Sequence, residues 1–162
     1  MRVSSCSCEV YMATRGYIKK GVGKGAYYVS REPYKSLFAT LLECSPYPGT
    51  LNVELADTRH SVFLEKLLET RGPCFIYAPR EPSLGRVCIL EALVYGIIPS
   101  LVVIPERGVH NYPQVLEIVS CTRLQDYATS VGGNVYLVIG CGLIRCLNSW
   151  RTSILRFTSS IL

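Results

Sequence analysis

A chain of 162 residues that is 49% hydrophobic and 18% charged has the composition of one globular domain, which excludes a disordered chain and two ordinary domains. Its apolar runs fall short of the about 20 residues that span a bilayer, and its first residues lack the apolar segment of a secretory signal. The net charge of +5 suits an anionic ligand, either a nucleotide or a nucleic acid. We therefore expect a cytoplasmic protein without a membrane partner.

Eight short segments rich in Val, Ile and Tyr predict β-strands, because they are separated by glycine and proline and several alternate apolar with polar residues. In LNVEL, for example, Asn52 and Glu54 alternate with leucine and valine. The predicted strands cover residues 9–18, 26–30, 50–55, 74–78, 86–95, 100–104, 115–119 and 134–139.

Fewer segments predict helices. PYKSLFATLLE begins with a proline, with Leu37, Leu41 and Leu42 on one face, and HSVFLEKLLETRG ends at Gly72, a typical helix stop. A short turn is predicted over TRLQDYA. Apolar residues recur at steps of three and four in residues 140–162, which predicts an amphipathic helix that packs on the barrel or on a partner subunit. Binding to a membrane surface is the alternative for this helix.

Many short strands with few helices predict a mainly β fold, a small closed barrel, and not a doubly wound parallel sheet. We expect the barrel domain to cover residues 1–139 and the C-terminal amphipathic helical extension to cover residues 140–162. The eight cysteines contain no C-x-x-C pair, so a zinc site is not favoured. Most of them lie in apolar runs and are interpreted as small core residues, with disulfides left open because extreme thermophiles tolerate them inside the cell.

The stretch GVGKGA, residues 21–26, matches neither a P-loop nor a dinucleotide fingerprint. A flexible turn is its simplest interpretation. Lys24 lies between two of its glycines and Lys19 and Lys20 precede it, so the alternative is a loop whose backbone N–H groups and ammonium groups bind phosphate.

In PYPGTLN, Thr50 and Asn52 project to the same side of an extended segment, since side chains alternate along a strand. Ordinary strand residues after a Pro-Gly turn are one interpretation. The other is a pair of neutral oxygen ligands for Mg²⁺, with the missing negative charge supplied by nucleotide phosphates. This second interpretation suits a chain with only two aspartates, Asp57 and Asp126.

Four stretches in this order, GVGKGAYYVS, PYPGTLNVEL, VVIPERGVH and VLEIVSCTRLQDY, resemble the archaeal CTP-dependent riboflavin kinase family over roughly residues 9–139. The resemblance implies a six-stranded cradle-loop (riboflavin-kinase-like) β-barrel. It also implies transfer of the terminal phosphate of CTP to riboflavin, giving FMN and CDP.

The resemblance further implies roles for individual residues. Thr50 and Asn52 would bind magnesium, and Gly108 and Glu117 would contact the flavin, although the family usually has threonine where this chain has Gly108. Glu117 and Lys24 are the candidate catalytic residues, Glu117 as a general base or only as a flavin contact, and Lys24 as an aid to charge neutralisation or as a solvated lysine. The implied nucleotide-binding residues are Gly21, Val22, Gly23, Lys24, Gly25, Ala26, Thr122, Arg123, Leu124 and Gln125.

We expect the flavin ring to need a flat apolar slot, to which Tyr27, Tyr28 and Tyr112 lie near enough in the pattern to contribute. A basic barrel that binds nucleic acid or acts as a regulator is the rival interpretation, but the basic residues are dispersed, so no nucleic-acid partner is expected. A flavin carrier without catalysis is disfavoured by the Thr50 and Asn52 pair. The sequence leaves the oligomeric state open and is compatible with a monomer.

Overall fold

A computed structural model describes residues 7–21, 23–105, 114–130 and 133–159. None of the helices within these ranges has the length and apolar character needed to cross a membrane. The strands are β1 (Glu9–Lys19), β2 (Leu51–Leu55), β3 (Phe75–Tyr77), β4 (Val87–Val94), β5 (Ile98–Pro105), β6 (Val115–Ser120) and β7 (Asn134–Cys141). The helices are α1 (Gly25–Ser30), α2 (Tyr34–Leu42), α3 (Thr58–Thr70), α4 (Leu124–Ser130) and α5 (Leu143–Ser159).

Six of the strands form a closed antiparallel barrel, which confirms the predicted fold class. The order is β4-β5-β6-β2-β1-β7, and pairing of β7 with β4 closes the ring. The short strand β3 lies outside the ring and pairs with β4. Closure leaves the barrel without free edges along these paired segments, which protects its backbone groups from pairing with other chains.

The interior of the barrel is filled by one face of each strand. In β2 the buried residues Leu51, Val53 and Leu55 alternate with the half-buried Asn52 and Glu54, as predicted from LNVEL. The apolar set packs with the inward residues of the neighbouring strands and with α3, whose Leu64 is fully buried. Asn52 is therefore directed to the outside of the barrel, because successive side chains of a strand point to opposite faces.

A second apolar cluster covers the outer face of β4, β5 and β6. Helices α1 and α2 contribute Val29, Tyr34 and Phe38 to this cluster, and α5 contributes Ile144. The cluster fixes the two N-terminal helices against the barrel wall. This wall also carries Glu117, so the helices and the outward polar residues meet on the same side of the molecule.

Two local predictions were wrong. Residues 26–30 were predicted as a strand but lie in α1, because Val29 gains burial at 2% exposure against the outer cluster, which outweighs the strand preference of two tyrosines. The segment predicted as a turn after β6 contains the helix α4. There Leu124 and Ala128, four residues apart, both enter the barrel core.

The C-terminal helix packs on the barrel, which is one of the three predicted alternatives. Leu143 and Ile144 are buried, and α5 contacts β4 and β5. The carboxylate of Glu91, only 7% exposed, accepts a hydrogen bond of 3.1 Å from the backbone N–H of Ile144. This bond satisfies one of the free N–H groups at the start of the helix and holds it on β4.

Four cysteines form two disulfides, Cys44–Cys121 and Cys74–Cys141, with Cα–Cα separations of 6.2 and 5.6 Å. The disulfides that the sequence left open are thus present. Cys74 and Cys121 are partly buried against the apolar clusters, as the interpretation as core residues predicts, whereas Cys44 is exposed and does not fit it. The fold brings residues distant in sequence to a bonding separation, which spacing along the chain does not reveal. Cys146 is buried and fits the interpretation as a small core residue.

Candidate functional site

The glycine stretch lies directly against the strand that carries the predicted metal ligands. A methyl group added at Gly21 would overlap the side-chain amide of Asn52, and one added at Gly25 would overlap the hydroxyl of Thr50. Both glycines therefore permit an approach of backbone to side chain that no larger residue allows. Gly23, between them, has a φ of +79°, so the loop also turns through a conformation that favours glycine.

The loop and the strand enclose a small polar cavity of about 210 Å³. Lys24, at the start of α1, is exposed at its rim, and its carbonyl accepts a hydrogen bond of 3.2 Å from the backbone N–H of Tyr28. The cavity is lined by Gly21, Gly23, Lys24, Gly25, Ala26, Gly49, Thr50, Asn52 and Glu117. Residues from three separate predicted motifs thus meet in one place.

Glu117 enters this cavity from the neighbouring strand. It lies directly opposite Asn52 in the antiparallel pairing of β2 with β6, and opposite Val103 in the pairing of β5 with β6. Burial against these strands raises the pKa of the Glu117 carboxyl above its ordinary value, because low-dielectric surroundings disfavour the charged form. A carboxyl of this kind accepts a proton more readily near neutral pH than an exposed glutamate does.

A larger apolar cavity of about 370 Å³ adjoins the polar one. It lies between the helices α1 and α2 and the outer wall of the barrel. Tyr34 is held at its edge because the phenol donates a hydrogen bond of 2.6 Å to the carbonyl of Gly85, and burial raises the pKa of this phenol. The lining residues are Lys24, Gly25, Tyr28, Tyr34, Phe38, Ser83, Gly85, Val87, Val103, Pro105 and Glu117.

The two cavities share Lys24, Gly25 and Glu117. The shared residues lie where an apolar, aromatic compartment opens into a polar one lined by glycine backbone. Such an arrangement accommodates a flat ring on one side and an anionic chain on the other, with a carboxyl between them. The geometry therefore suits a reaction between two bound molecules and not only the binding of one.

The segment after β6 lies beside this site without lining either cavity. Gln125 donates a hydrogen bond of 3.2 Å from its side-chain amide to the carbonyl of Thr50. Arg123 forms an exposed ion pair with Asp126 at 3.5 Å, and Leu124 is buried in the barrel core. Because the side chain of Leu124 is buried, only the backbone of this residue could contact a ligand.

Three of the residues predicted to contact a ligand have no described position. Val22, Gly108 and Tyr112 lie outside the described residues. Of the other predicted ring contacts, Tyr28 lines the apolar cavity, whereas Tyr27 is exposed and accepts a hydrogen bond from Arg31.

Sequence reasoning missed the aromatic residues of α2. Tyr34, Phe38 and Leu42 form the buried face of this helix at spacings of four. The sequence pattern placed Leu42 on the apolar face correctly, but it paired Leu42 with Leu37 and Leu41, which are only partly buried. The spacing of Tyr34 and Phe38 indicates that they lie on the same face of a helix. It does not indicate that this face lines a cavity.

The side chains present fit a divalent cation only together with a phosphate ligand. The Thr50 hydroxyl and the Asn52 amide supply neutral oxygens to the polar cavity, which Glu117 also lines. Among the described residues, no group of three or more His, Cys, Asp or Glu side chains is placed to hold a metal. Most of the negative charge and the remaining ligands would come from the phosphates and from water.

Comparison with known proteins assigns the chain to a family. The family model CTP-dep_RFKase, which carries the description "Domain of unknown function DUF120", matches residues 18–137. This range contains every predicted site residue.

Curated archaeal proteins named riboflavin kinase are also similar. The protein from Methanocorpusculum labreanum is 32% identical over 82% of this chain and 59% of its own length. Those from Archaeoglobus fulgidus and Saccharolobus solfataricus are 35% and 32% identical over 69% of this chain, and 47% and 64% of their own lengths. The chain thus spans about half to two thirds of these relatives. It belongs to the CTP-dependent riboflavin kinase family.

Proposed function

We propose that this chain is a CTP-dependent riboflavin kinase. The ribityl hydroxyl oxygen of riboflavin attacks the terminal phosphorus of CTP, the bond from that phosphorus to the bridging oxygen breaks, and FMN and CDP result. Membership of the family supports both substrates, since the family name specifies CTP and the curated relatives are named riboflavin kinase.

The observation that carries the proposal is the junction of the two cavities at Lys24, Gly25 and Glu117. Phosphoryl transfer requires mainly that donor and acceptor be held in line while the developing charge is neutralised. A polar compartment that joins an aromatic one provides this arrangement for a triphosphate and a ring-bearing alcohol.

The nucleotide phosphates occupy the polar cavity in this proposal. Backbone N–H groups of residues 21–26 donate hydrogen bonds to phosphate oxygens, which the close packing of glycine on β2 supports. Thr50 and Asn52 would hold Mg²⁺, and the bound cation would neutralise phosphate charge. Residues 122–125 complete the nucleotide pocket, and the hydrogen bond from Gln125 to Thr50 supports their proximity.

The isoalloxazine ring of riboflavin occupies the apolar cavity. Tyr28, Tyr34 and Phe38 offer aromatic surface there, and Val103 offers an apolar wall. Glu117, at the junction, either accepts the proton of the attacking hydroxyl or hydrogen-bonds the flavin. Its raised pKa supports the first role without excluding the second. Gly108 is retained as a proposed flavin contact.

The positions of the two cavities also suggest separate roles for the two parts of the chain. We assign the site to a barrel domain over residues 1–139 and a packing role to residues 140–162, because the described part of α5 contacts β4 and β5 and lines neither cavity.

Incubation with riboflavin, Mg²⁺ and one nucleoside triphosphate at a time, followed by chromatography, tests the proposed function. We expect FMN and CDP with CTP, and far less FMN with ATP, GTP or UTP. Omission of Mg²⁺ serves as the control for the metal. Absence of FMN with every nucleotide, accompanied by steeply salt-dependent binding of DNA, would favour the rival nucleic-acid-binding function.

A further inference from the structure

The two disulfides differ in whether the segments they join lie beside the candidate site. Cys44 follows helix α2, whose aromatic residues line the apolar cavity, and Cys121 directly precedes the proposed nucleotide segment 122–125. Cys74 and Cys141 join the start of β3 to the end of β7. Only the first disulfide therefore connects two segments that flank the site.

Two hydrogen bonds near Cys44–Cys121 also join the two segments, and one of them reaches Thr50, which lines the polar cavity. The backbone N–H of Tyr47 donates a hydrogen bond of 2.8 Å to the carbonyl of Ser120, just before Cys121. Three residues after Tyr47, the carbonyl of Thr50 accepts the hydrogen bond from Gln125. The segments 44–50 and 120–125 thus run side by side, joined by one covalent bond and two hydrogen bonds.

These two segments are loops at the points where they flank the site. Residues 43–50 connect α2 to β2, and residues 121–123 connect β6 to α4. A loop that is not part of a helix or a ladder samples more conformations than the elements beside it. A crosslink between two such loops restricts their relative position, which is the property required of groups that must hold a nucleotide in line.

We propose that the Cys44–Cys121 disulfide is a positioning element for the nucleotide, so that affinity for CTP falls when this disulfide is reduced. The inference rests on the proposed function of the same site. It gives Cys44 and Cys121 a role in binding that is separate from a general contribution to stability. Cys74–Cys141 is not expected to have such a role.

Reduction of the Cys44–Cys121 disulfide proceeds by ordinary thiol–disulfide exchange. A dithiol such as dithiothreitol attacks one sulfur of the protein disulfide, and its second thiol then displaces the other protein sulfur. The protein gains two thiols, one at Cys44 and one at Cys121, while the reductant becomes a cyclic disulfide. Electrons and protons balance, because two of each pass from the reductant to the protein.

The second disulfide provides a matched control. The two bonds close loops of similar size, with sequence separations of 77 and 67 residues, so their effects on the unfolded chain are similar. Cys141 pairs with Glu9 at one end of β1, whereas Lys19 at the other end pairs with Asn52. These ends are roughly 30 Å apart along an extended strand, so Cys74–Cys141 is remote from the polar cavity.

The experiment compares the wild-type chain with Cys44→Ser/Cys121→Ser and Cys74→Ser/Cys141→Ser, each with and without dithiothreitol. Binding of CTP is measured by titration calorimetry without riboflavin, and peptide mapping under non-reducing conditions verifies each disulfide. Circular dichroism identifies the temperature range in which all samples are folded.

We expect reduction to weaken CTP binding roughly tenfold in the wild type and in Cys74→Ser/Cys141→Ser. Cys44→Ser/Cys121→Ser should show the weakened affinity from the start and no response to dithiothreitol. Riboflavin affinity, measured by fluorescence quenching, should change much less than CTP affinity.

Equal CTP affinity in oxidised and reduced wild type would overturn the inference and leave the proposed function standing. An equal loss in both double variants would also overturn it, because the effect would then be one of stability. If the oxidised wild type neither bound CTP nor formed FMN, the inference and the proposed function would both be overturned.

Discussion

Asn52 and Glu117 lie directly opposite one another on the neighbouring antiparallel strands β2 and β6, with both side chains lining the polar cavity. The amide that we propose as a cation ligand and a carboxyl with a raised pKa are therefore adjacent, although they are far apart in the chain. The site is built across this pair of strands, since the glycine loop packs against Asn52 and the apolar cavity begins at Glu117.

Replacing Asn52 with alanine should abolish FMN formation while the fold is retained. The side chain is only half-buried and belongs to neither apolar cluster, so its loss removes a proposed ligand without opening a core cavity. Turnover and the Mg²⁺ concentration for half-maximal rate are to be measured, with circular dichroism as the check on folding. Asn148→Ala, which removes a surface hydrogen bond to Glu43, is the matched control and should keep its activity. Normal turnover in Asn52→Ala would exclude cation binding at this face.

Replacing Glu117 with glutamine should stabilise the ligand-free protein at neutral pH and impair catalysis. Burial raises the pKa of this carboxyl above 4.5, so its ionisation in the folded state costs free energy. The contribution of this group to wild-type stability is therefore fully present below the ordinary pKa and is lost as pH rises through the raised pKa. The stabilisation of the variant should disappear at about pH 4, where both chains carry a neutral group. Urea unfolding at several pH values measures it.

The same variant separates the two proposed roles of Glu117. If the carboxylate is the general base, kcat should fall roughly 10²- to 10⁴-fold and lose its acidic limb in the pH profile. If it only binds the flavin, KM for riboflavin should rise while kcat changes little. Glu65→Gln, on the exposed face of α3, should alter neither stability nor kinetics.

Replacing Lys24 with alanine should raise KM for CTP roughly 10- to 100-fold, because one ammonium contact to phosphate is worth about 1.5–3 kcal/mol. Lys24 lies at the junction of both cavities and is exposed in the ligand-free protein. Steady-state kinetics at two salt concentrations measure the effect, which should decrease as salt rises. Lys66→Ala, an exposed lysine on α3, is the control. Identical kinetics for the two variants would mean that Lys24 is only solvated.

Replacing Gly25 with alanine should inactivate the site and destabilise the fold by about 1–3 kcal/mol. The added methyl group would overlap the Thr50 hydroxyl, so either the loop or the strand must move. Thermal unfolding and FMN formation measure the two effects. Full activity with unchanged stability would show that the loop is not held closely against β2.

Replacing Ile144 with alanine should lower the free energy of unfolding by about 2–5 kcal/mol, because the side chain is 3% exposed within the outer apolar cluster. KM for CTP should stay the same, since α5 lines neither cavity in its described part. Trp150→Ala is the control on the same helix and should cost little, because Trp150 is 72% exposed. A large rise in KM for Ile144→Ala would assign the helix to the site.

Much of the strand content was predictable because it depends on local alternation. The alternation in LNVEL by itself separates the residues that face the core from those that face outward. In the structure, β2 buries the leucines and the valine that the pattern assigned to the core. The polar half of the site was predictable for a related reason. Thr50 and Asn52 are close in sequence, and glycine beside lysine is a local pattern that indicates an anion-binding loop.

The errors occurred where distant residues decide the local conformation. The run that begins with Tyr27 and Tyr28 has strand preference, yet it is helical because Val29 packs against α2 and the barrel wall. The apolar cavity was missed because its walls come from α1, α2 and the strands β4 to β6, which no local pattern connects. The pairing of the cysteines in both disulfides was unpredictable for the same reason.

Three features of the sequence were enough to determine a mainly β barrel and the polar residues that line its smaller cavity. They are the alternation of side chains, the turn residues and the order of four motifs. Closure of β7 on β4, the pairing of Asn52 with Glu117 and the junction of two cavities came only from tertiary structure. The physical reason is that periodicity acts over a few residues, whereas strand partners and cavity walls depend on which distant apolar surfaces are buried together.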